Sequence, residues 1–246
     1  MLEQNSFPTQ GRYHVRQART GDDIATARAL RQRGFALAAP DADIFDETCL
    51  HMLVQDCQTG TVVCCFRLCV LRGPADIDRS YCAQFYDFGH LLSEVGPLVE
   101  MGRFCVEPGL RDADILRTAW GALTRLVDDV GARMLIGCSS FAGTDPEPYR
   151  GAFAELAARH LAPKSWNLMT TALRTIPYVQ NHEQGHDEAR AQVQMPPLLR
   201  SYLAMGGKVS DHAVIDQHMD TLHVFTGLEI SAIPESRKRL LRALVR

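Results

Sequence analysis

The sequence predicts a mixed α/β (α+β) fold in which strands and helices alternate along one chain. Two kinds of segment indicate it: apolar runs such as 61–71 are typical of buried strands, and residues 112–129 place apolar side chains at helical spacing. The 246 residues are 46% hydrophobic, which is ample for a packed core. No internal repeat, low-complexity tract or linker interrupts the chain, so we expect one domain over residues 1–246 with a C-terminal extension.

The chain is expected to open with a strand followed by a helix. Residues 13–19 alternate as in a strand, and Thr20 with Asp23 three positions later matches a capping box. This box predicts a helix that runs through about Phe35. Residues 38–47 then form an acidic loop with neither helical nor strand periodicity.

A β-hairpin is predicted next, with strands over about 49–55 and 61–71 and Gly60 at the end of its turn. Arg67 interrupts the apolar run of the second strand. Residues 73–97 look irregular and aromatic. The hairpin therefore carries an arginine into a region that should be buried.

The middle of the chain repeats the pattern of strand and helix. We expect a strand over 98–106, a helix over 112–129, a strand over 133–141 and a helix that ends near His160. Apolar residues at these spacings are assigned to the core.

The last part of the chain mixes short elements with a basic terminal helix. Residues 164–176 look like a strand, 181–192 like a polar loop or solvated helix, 198–205 like a short helix and 221–226 like a strand. The terminal helix has either an ordinary solvated basic face or one that attracts an acidic partner or membrane surface. Its basic residues are Arg237, Lys238, Arg239, Arg242 and Arg246.

Charge and cysteine usage exclude several classes of protein. With 26 Lys+Arg against 29 Asp+Glu, the net charge is -3, which does not favour a general nucleic-acid binder. Neither a secretory signal nor a run of about 18 apolar residues occurs, so we expect a cytoplasmic protein, with peripheral contact at the inner membrane as an alternative. No cysteine pair has the C-x-x-C spacing, so we expect no metal and interpret all eight as reduced core residues. They are Cys49, Cys57, Cys64, Cys65, Cys69, Cys82, Cys105 and Cys138.

The segment 98–106 is the main candidate for chemistry, because it places two charged residues in a strand that should be buried. By alternation Glu100 shares one face with Gly102 and Phe104, and Arg103 points to the other face. A carboxylate in apolar surroundings tends to hold its proton more tightly, which suits a proton acceptor that works near neutral pH. A structural carboxylate capped by backbone amides is the alternative.

Two further motifs suggest other enzymes but lack the context those enzymes need. Residues 182–186 match H-E-x-x-H, yet Gly185 weakens a helix and no third zinc ligand is evident. Residues 137–141 lack the second glycine of G-x-S-x-G. We therefore expect neither a zinc protease nor a serine hydrolase.

The order strand, helix, acidic loop, hairpin, strand and helix resembles the GNAT-type acyltransferase fold. Four fragments also resemble acyl-homoserine-lactone synthases: Arg31 with Phe35, the acidic segment 43–46, Arg67, and the segment 100–106. Acetyl-CoA enzymes usually place a glycine-rich turn after the strand that bears the glutamate. Here residues 107–114 carry two aspartates instead. Since these would repel a diphosphate, we expect a donor other than free coenzyme A.

Across nearly the whole chain the sequence resembles the ornithine-lipid N-acyltransferases, which are related to proteins described as haemolysins. The resemblance extends to Gly143–Pro146, His160–Pro163, Pro196–Tyr202, Asp220 and Val224–Phe225. It implies a GNAT-like fold with a central mixed, mostly antiparallel sheet flanked by helices. It also implies transfer of a 3-hydroxyacyl group from acyl carrier protein to the α-amine of an amino acid, as the first step of aminolipid synthesis. No cofactor is expected, because 4′-phosphopantetheine arrives on the carrier protein.

The resemblance assigns roles to the segment around Glu100. Glu100 is expected to act as the base, directly or through water, and backbone amides from Gly102 to Phe104 to stabilise the oxyanion. Arg31 and Arg67 are expected to hold the acceptor's carboxylate. The remaining candidates for substrate binding are Phe35, Asp43, Asp46 and Arg103. An internal ion-pair network among Arg67, Asp46 and Arg103 that holds the acidic loop is the alternative.

The acceptor is predicted to be ornithine first and glutamine second. Ornithine carries a second ammonium, which needs a carboxylate partner away from water, and Asp41, Asp43 and Asp46 are available. An acyl-homoserine-lactone synthase remains the alternative enzyme. A pore-forming haemolysin and a carrier-protein binder without turnover are the alternatives outside catalysis.

Overall fold

A computed structural model describes residues 9–178 and 188–244, and the chain divides into two compact units. The first unit comprises Met1–Val70, Val99–Ala132 and Glu235–Arg246, and the second comprises Leu71–Leu98 and Arg133–Pro234. The expectation of one domain over residues 1–246 stays a prediction.

Twelve strands occur in the described part of the chain, and six of them coincide with predicted strands. The twelve are β1 (Thr9–Gln10), β2 (Tyr13–Gln17), β3 (Leu50–Asp56), β4 (Val62–Leu71), β5 (Tyr86–Asp87), β6 (Leu98–Val106), β7 (Met134–Ala142), β8 (Met169–Thr170), β9 (Thr175–Pro177), β10 (Lys208–Val209), β11 (His212–Asp216) and β12 (Thr221–Glu229).

Seven α-helices occur in the same ranges, with short 3-10 segments between them. The helices are α1 (Gly21–Gly34), α2 (Gly89–Val95), α3 (Ala113–Val130), α4 (Arg150–Arg159), α5 (Glu188–Gln194), α6 (Pro197–Ala204) and α7 (Glu235–Ala243). One of the 3-10 segments, Ile44–Glu47, lies within the acidic loop. None of the described helices is both long and apolar enough to span a bilayer.

The first unit packs α1 against a sheet in which the strands lie in the order β1, β2, β3, β4 and β6. The predicted capping box of α1 is present: Thr20 accepts a hydrogen bond from the backbone of Asp23, whose carboxylate accepts from the backbone of Thr20. Leu30 of α1 packs with Leu53, Cys65 and Cys105 of the sheet in a buried cluster. The turn between β3 and β4 contains Gly60 at φ +74°, as a hairpin turn requires.

The second unit contains an antiparallel sheet with the strand order β7, β12, β11 and β9, and β10 also pairs with β12. Nine residues of β12 pair with β7, from Thr221 with Ala142 to Glu229 with Met134. One face of this sheet packs against α4 and α6 through a cluster that includes Phe141, Phe153, Leu156 and Leu199. Strands β5 and β8 form a separate two-stranded sheet. The antiparallel strand pairs agree with the prediction of a mostly antiparallel architecture.

Three local predictions are wrong, each because a short element lacks a periodic signal. Residues 164–176 do not form one strand, since Asn167 adopts a left-handed conformation at φ +45° and ends a 3-10 turn. Helix α2 lies inside the segment expected to be irregular, and its seven residues are too few to reveal a helical period. The acidic loop likewise contains a 3-10 turn at 44–47.

The cysteines are only in part the core residues that the sequence predicted. Five of the eight are buried, Cys49 and Cys138 are partly exposed, and Cys57 is exposed. Cys57 lies in the turn of the hairpin, where its polar neighbours rather than an apolar strand decide its exposure. All eight are thiols in the structure.

Candidate active site

Strand β6 carries the candidate base Glu100 and, three residues later, a left-handed residue, Arg103. Arg103 adopts φ +52°, a left-handed conformation that costs an arginine free energy and breaks the alternation of faces along the strand. The prediction that Glu100 and Arg103 point to opposite faces rested on regular alternation, which a left-handed residue does not follow, and it stays a prediction. A local irregularity of this kind can turn backbone N–H groups away from regular strand pairing, and the oxyanion role expected for the amides from Gly102 to Phe104 also stays a prediction.

The left-handed Arg103 is held by ion pairs with the acidic loop. Its Nε donates to Asp41 Oδ2 at 2.7 Å, and its Nη2 donates to Asp43 Oδ2 at 3.0 Å. Asp43 also caps the 3-10 segment by accepting from the Phe45 backbone N–H at 3.0 Å. These ion pairs therefore hold the acidic loop against β6 and stabilise the left-handed conformation of Arg103.

Arg31 and Arg67 complete this network from α1 and β4. Arg31 donates to both carboxylate oxygens of Asp46, at 2.8 and 2.9 Å. Arg67 donates to Asp46 Oδ1 at 2.7 Å and to Asp43 Oδ2 at 3.0 Å. Arg31 and Arg67 are only 1% and 2% exposed. The internal ion-pair network that the sequence left as an alternative is thus present, and it includes Arg31.

The network keeps its carboxyl groups ionised. Burial alone would raise the pKa of Asp46, but hydrogen bonds and charge from Arg31 and Arg67 hold that pKa well below its usual value. The pKa of Asp43 is lowered in the same way: burial opposes the shift, and Arg67 and Arg103 outweigh burial. For Arg67, burial favours the neutral form, but Asp43 and Asp46 raise its pKa. The Asp43 side chain is 20% exposed, whereas that of Asp46 is 2% exposed.

Glu100 lies on β6 and is 4% exposed. The pKa of the nearby Cys49 thiol is lowered, chiefly by a hydrogen bond with Cys69; burial opposes the shift, Arg67 adds to it and Glu100 opposes it. Cys49 directly precedes β3, and Arg67 lies on β4. A buried carboxylate such as Glu100 can accept a proton from an approaching amine.

The two predicted aromatic residues have structural partners. Phe104 stacks on Phe66 of β4, with ring centroids 5.7 Å apart. Phe35 ends α1 and packs against the buried cluster around Leu30. Neither ring is part of the ion-pair network, and Gly102 has open space where a side chain would begin.

Two further polar residues contact the ion-pair network and were not among the predicted site residues. Arg28 donates from Nε to Asp46 Oδ2 at 2.9 Å, and His51 Nε2 lies 2.9 Å from the Asp46 backbone oxygen. Their spacing could have identified both residues. Arg28 lies one helical turn before Arg31 and so shares its helix face, and His51 pairs with Arg67 across the hairpin. Burial lowers the pKa of His51 despite the neighbouring Asp46.

The turn before α3 places an aspartate at the helix N-terminus. Asp112 Oδ1 accepts from the Asp114 backbone N–H at 2.9 Å, and Asp112 Oδ2 accepts from the Tyr13 hydroxyl at 2.8 Å. These bonds lower the pKa of Asp112, the backbone bond contributing most. The positive end of the α3 dipole is therefore already matched by a carboxylate.

The alternative motifs gain no support from the described residues. Residues 182–186, which match H-E-x-x-H, lie outside the described part of the chain. Among residues 9–178 and 188–244, no group of three His, Cys, Asp or Glu side chains could hold a metal ion. Ser139 accepts a hydrogen bond from the Thr226 hydroxyl at 2.9 Å inside the second unit, which is a structural arrangement.

Comparison with known proteins relates both the sequence and the fold to acyltransferases. Residues 15–121 match the family model described as acetyltransferase (GNAT) domain. The chain is 29% identical over 243 residues to an L-ornithine N(alpha)-acyltransferase of Rhodobacter capsulatus, covering 92% of this chain and 93% of that protein. It is 28% identical to a protein of the same name from Brucella abortus, covering 91% of this chain and 86% of that protein.

A solved structure supports the fold over most of the chain. FeeM, an N-acyl amino acid synthase from uncultured soil microbes, matches with a TM-score of 0.52 at 9% identity, covering 90% of this chain and 94% of that chain. With the family match, this likeness confirms the predicted GNAT-like fold.

Proposed function

We infer that this chain, an N-acyltransferase with a GNAT domain, transfers a 3-hydroxyacyl group from acyl carrier protein to the α-amine of L-ornithine. The acyl acceptor is proposed from the relatives, which are named as L-ornithine acyltransferases and are similar along nine-tenths of the chain. The observation that carries the chemistry is the buried Glu100 on β6, three residues before the left-handed Arg103 that pairs with the acidic loop.

The reaction needs a proton acceptor, an oxyanion donor and a leaving thiolate. An α-ammonium with a pKa near 8 must lose a proton before its nitrogen attacks the thioester carbonyl. Glu100 takes that proton, directly or through water. The tetrahedral oxyanion accepts hydrogen bonds from backbone N–H groups near Gly102 and Phe104. The thiolate of phosphopantetheine then leaves and the amide forms.

The arginine network acts by positioning. Because Arg31 and Arg67 already donate to Asp46, binding the acceptor's carboxylate would require them to leave a buried partner. We therefore propose that both arginines hold the acidic loop in place. Asp43 is the most exposed carboxylate of the network, and we propose that it binds an ammonium group of ornithine.

Acyl carrier protein is proposed as the donor from the charge of the turn before α3. The two carboxylates of Asp112 and Asp114 would repel the diphosphate of coenzyme A, whereas a phosphopantetheine arm carries a single phosphodiester. Because the phosphopantetheine arm is flexible, an enzyme would recognise an acidic carrier protein mainly through charges on the surfaces of the two proteins.

The test is an assay with purified enzyme, 3-hydroxyacyl carrier protein, and ornithine and glutamine at equal concentration. We expect release of the carrier thiol and formation of Nα-acylornithine. Mass spectrometry measures the acylated product. A preference for glutamine would overturn the acceptor, and equal turnover with the matching acyl-coenzyme A would overturn the donor. Lactone formed with S-adenosylmethionine would instead identify an acyl-homoserine-lactone synthase.

A further inference from the structure

Two cysteines of the second unit lie in contact although 56 positions separate them. Cys138 is on β7, and Cys82 begins the 3-10 segment Cys82–Gln84. Their Sγ atoms are 3.5 Å apart, and both are thiols. To form a disulfide, the sulfur atoms need to approach by roughly 1.5 Å.

The two thiols differ in their access to solvent. Cys82 is fully buried, whereas Cys138 is partly exposed. Cys138 is the more exposed residue of the two, so an oxidant reaches it more readily, and Cys82 is the thiol placed to react next. This is the arrangement expected of an attacking cysteine with a neighbouring resolving cysteine.

The surroundings of Cys138 favour its thiolate. Burial alone would raise its pKa, but the contact with Cys82 and the neighbouring His223 lower the pKa to about 5, against a smaller opposing effect of Asp216. The His223 ring lies edge-on to Phe85, with centroids 4.6 Å apart, and near Tyr86, at 5.9 Å. These rings fix the imidazole, and His223 pairs with Ser140, two residues from Cys138 on the same strand.

The segment that carries Cys82 is tied to the same sheet. The Tyr81 hydroxyl donates to Asp216 Oδ2 at 2.9 Å, and the Ala83 backbone N–H donates to Ser80 Oγ at 3.2 Å. The thiol of Cys82 is thus kept against Cys138 by its own chain neighbours.

We propose that Cys138 is a site of reversible oxidation by hydroperoxides and that Cys82 resolves the oxidised form as an intramolecular disulfide. In the first step the Cys138 thiolate attacks the peroxide O–O bond, giving a sulfenic acid and, with a proton, one molecule of water or alcohol. In the second step the Cys82 sulfur attacks the sulfenic sulfur, the S–S bond forms, and water leaves. Both sulfur atoms are oxidised and the peroxide is reduced; a dithiol restores the pair.

Tryptic peptides allow a direct test, because each cysteine lies in a peptide with no other cysteine: 80–103 holds Cys82 and 134–150 holds Cys138. After treatment of the full chain with hydrogen peroxide, we expect these peptides to be joined and a dithiol to separate them. Cys138→Ser should abolish the product. Cys82→Ser should leave a sulfenic acid on 134–150 that dimedone captures, and Cys57→Ser, a matched change at an exposed thiol, should alter nothing.

Alkylation provides a second measurement that does not depend on peroxide. At pH 6 an ordinary thiol with a pKa of about 8.5 is under about 1% thiolate, whereas Cys138 should be mostly ionised. Allowing for its lower intrinsic nucleophilicity, iodoacetamide should still label Cys138 about 10-fold faster than Cys57. Unlinked peptides with oxidation at Cys57, or labelling of Cys138 no faster than Cys57, would overturn the proposal.

Discussion

At the scale of single residues, Asp46 is the member of the network with the most partners. It accepts hydrogen bonds from Arg28, Arg31 and Arg67, and its side chain is 2% exposed. Removing one charge from a buried ion-pair cluster lowers the free energy of unfolding by more than the intact cluster adds to it, because the remaining buried charges are left without a counter-charge.

We therefore expect Asp46→Asn to reduce the free energy of unfolding by about 3–5 kcal/mol, since it leaves two buried guanidinium groups short of a counter-charge. Denaturant unfolding at pH 7 measures the change. Asp114→Asn is the control: its pair with Arg117 is exposed, and its loss should cost less than about 1 kcal/mol. Similar losses for the two variants would contradict the network's structural role.

Glu100 is the residue on which the proposed chemistry depends. We expect Glu100→Gln to keep the fold, because the amide has nearly the same shape, and to lower turnover by about 100-fold or more, the range for a lost general base. Circular dichroism checks the fold, and initial rates between pH 6 and 9 check the role. Matching rates for variant and parent across that range would remove Glu100 as the base.

At the scale of elements, the acidic loop is bound to α1, β4 and β6 through ionised carboxylates. Their pKa values are lower in the folded chain than the value of about 3.9 for an unfolded aspartate. Protonation then favours the unfolded state. The stabilisation is complete above about pH 4 and is lost as the pH falls through the lower pKa values of the folded state.

Acid should therefore destabilise the first unit in a way that depends on Asp46. Trp120 of α3 and Trp166 are the tryptophans of the chain, so Trp166→Phe leaves a fluorescence signal that reports on the first unit. With that background we expect stability to fall between pH 4 and 2.5, and the fall to be smaller when Asp46→Asn is added. An equal pH dependence with and without Asp46→Asn would show that other carboxyl groups cause the acid sensitivity.

At the scale of the whole molecule, a chain with a net charge of -3 has a basic terminal helix. On α7, Arg237 and Arg239 are exposed, whereas Arg242 pairs with Asp128 of α3. A local basic surface can steer an acidic protein toward an enzyme whose overall charge would repel it.

If acyl carrier protein is the donor, Arg237→Glu with Arg239→Glu should raise its KM several-fold at low salt and leave the KM for the amino acid unchanged. The effect should shrink as ionic strength rises, because salt screens exposed charges. Arg150→Glu, an exposed change on α4, is the control. An unaltered KM for the carrier at low salt would assign α7 to packing or to a lipid surface.

The long strands and helices followed from the sequence alone, because their signals lie within a few residues. The capping box at Thr20 and the hairpin at Gly60 are short-range patterns, and β6 begins and ends where its apolar run does. The acidic loop and its arginines were also identified. Whether those arginines bind substrate or aspartate was left open, since spacing along the chain does not reveal partners.

Only the tertiary structure decided which groups meet. The left-handed Arg103 depends on ion pairs with a loop some 60 positions away, and alternation along a strand carries no sign of such a break. Cys82 and Cys138 are likewise brought together by packing within the second unit. The sequence determines local conformation through nearest neighbours and periodicity; ion pairing and thiol contact depend on distances that exist only when the chain has folded.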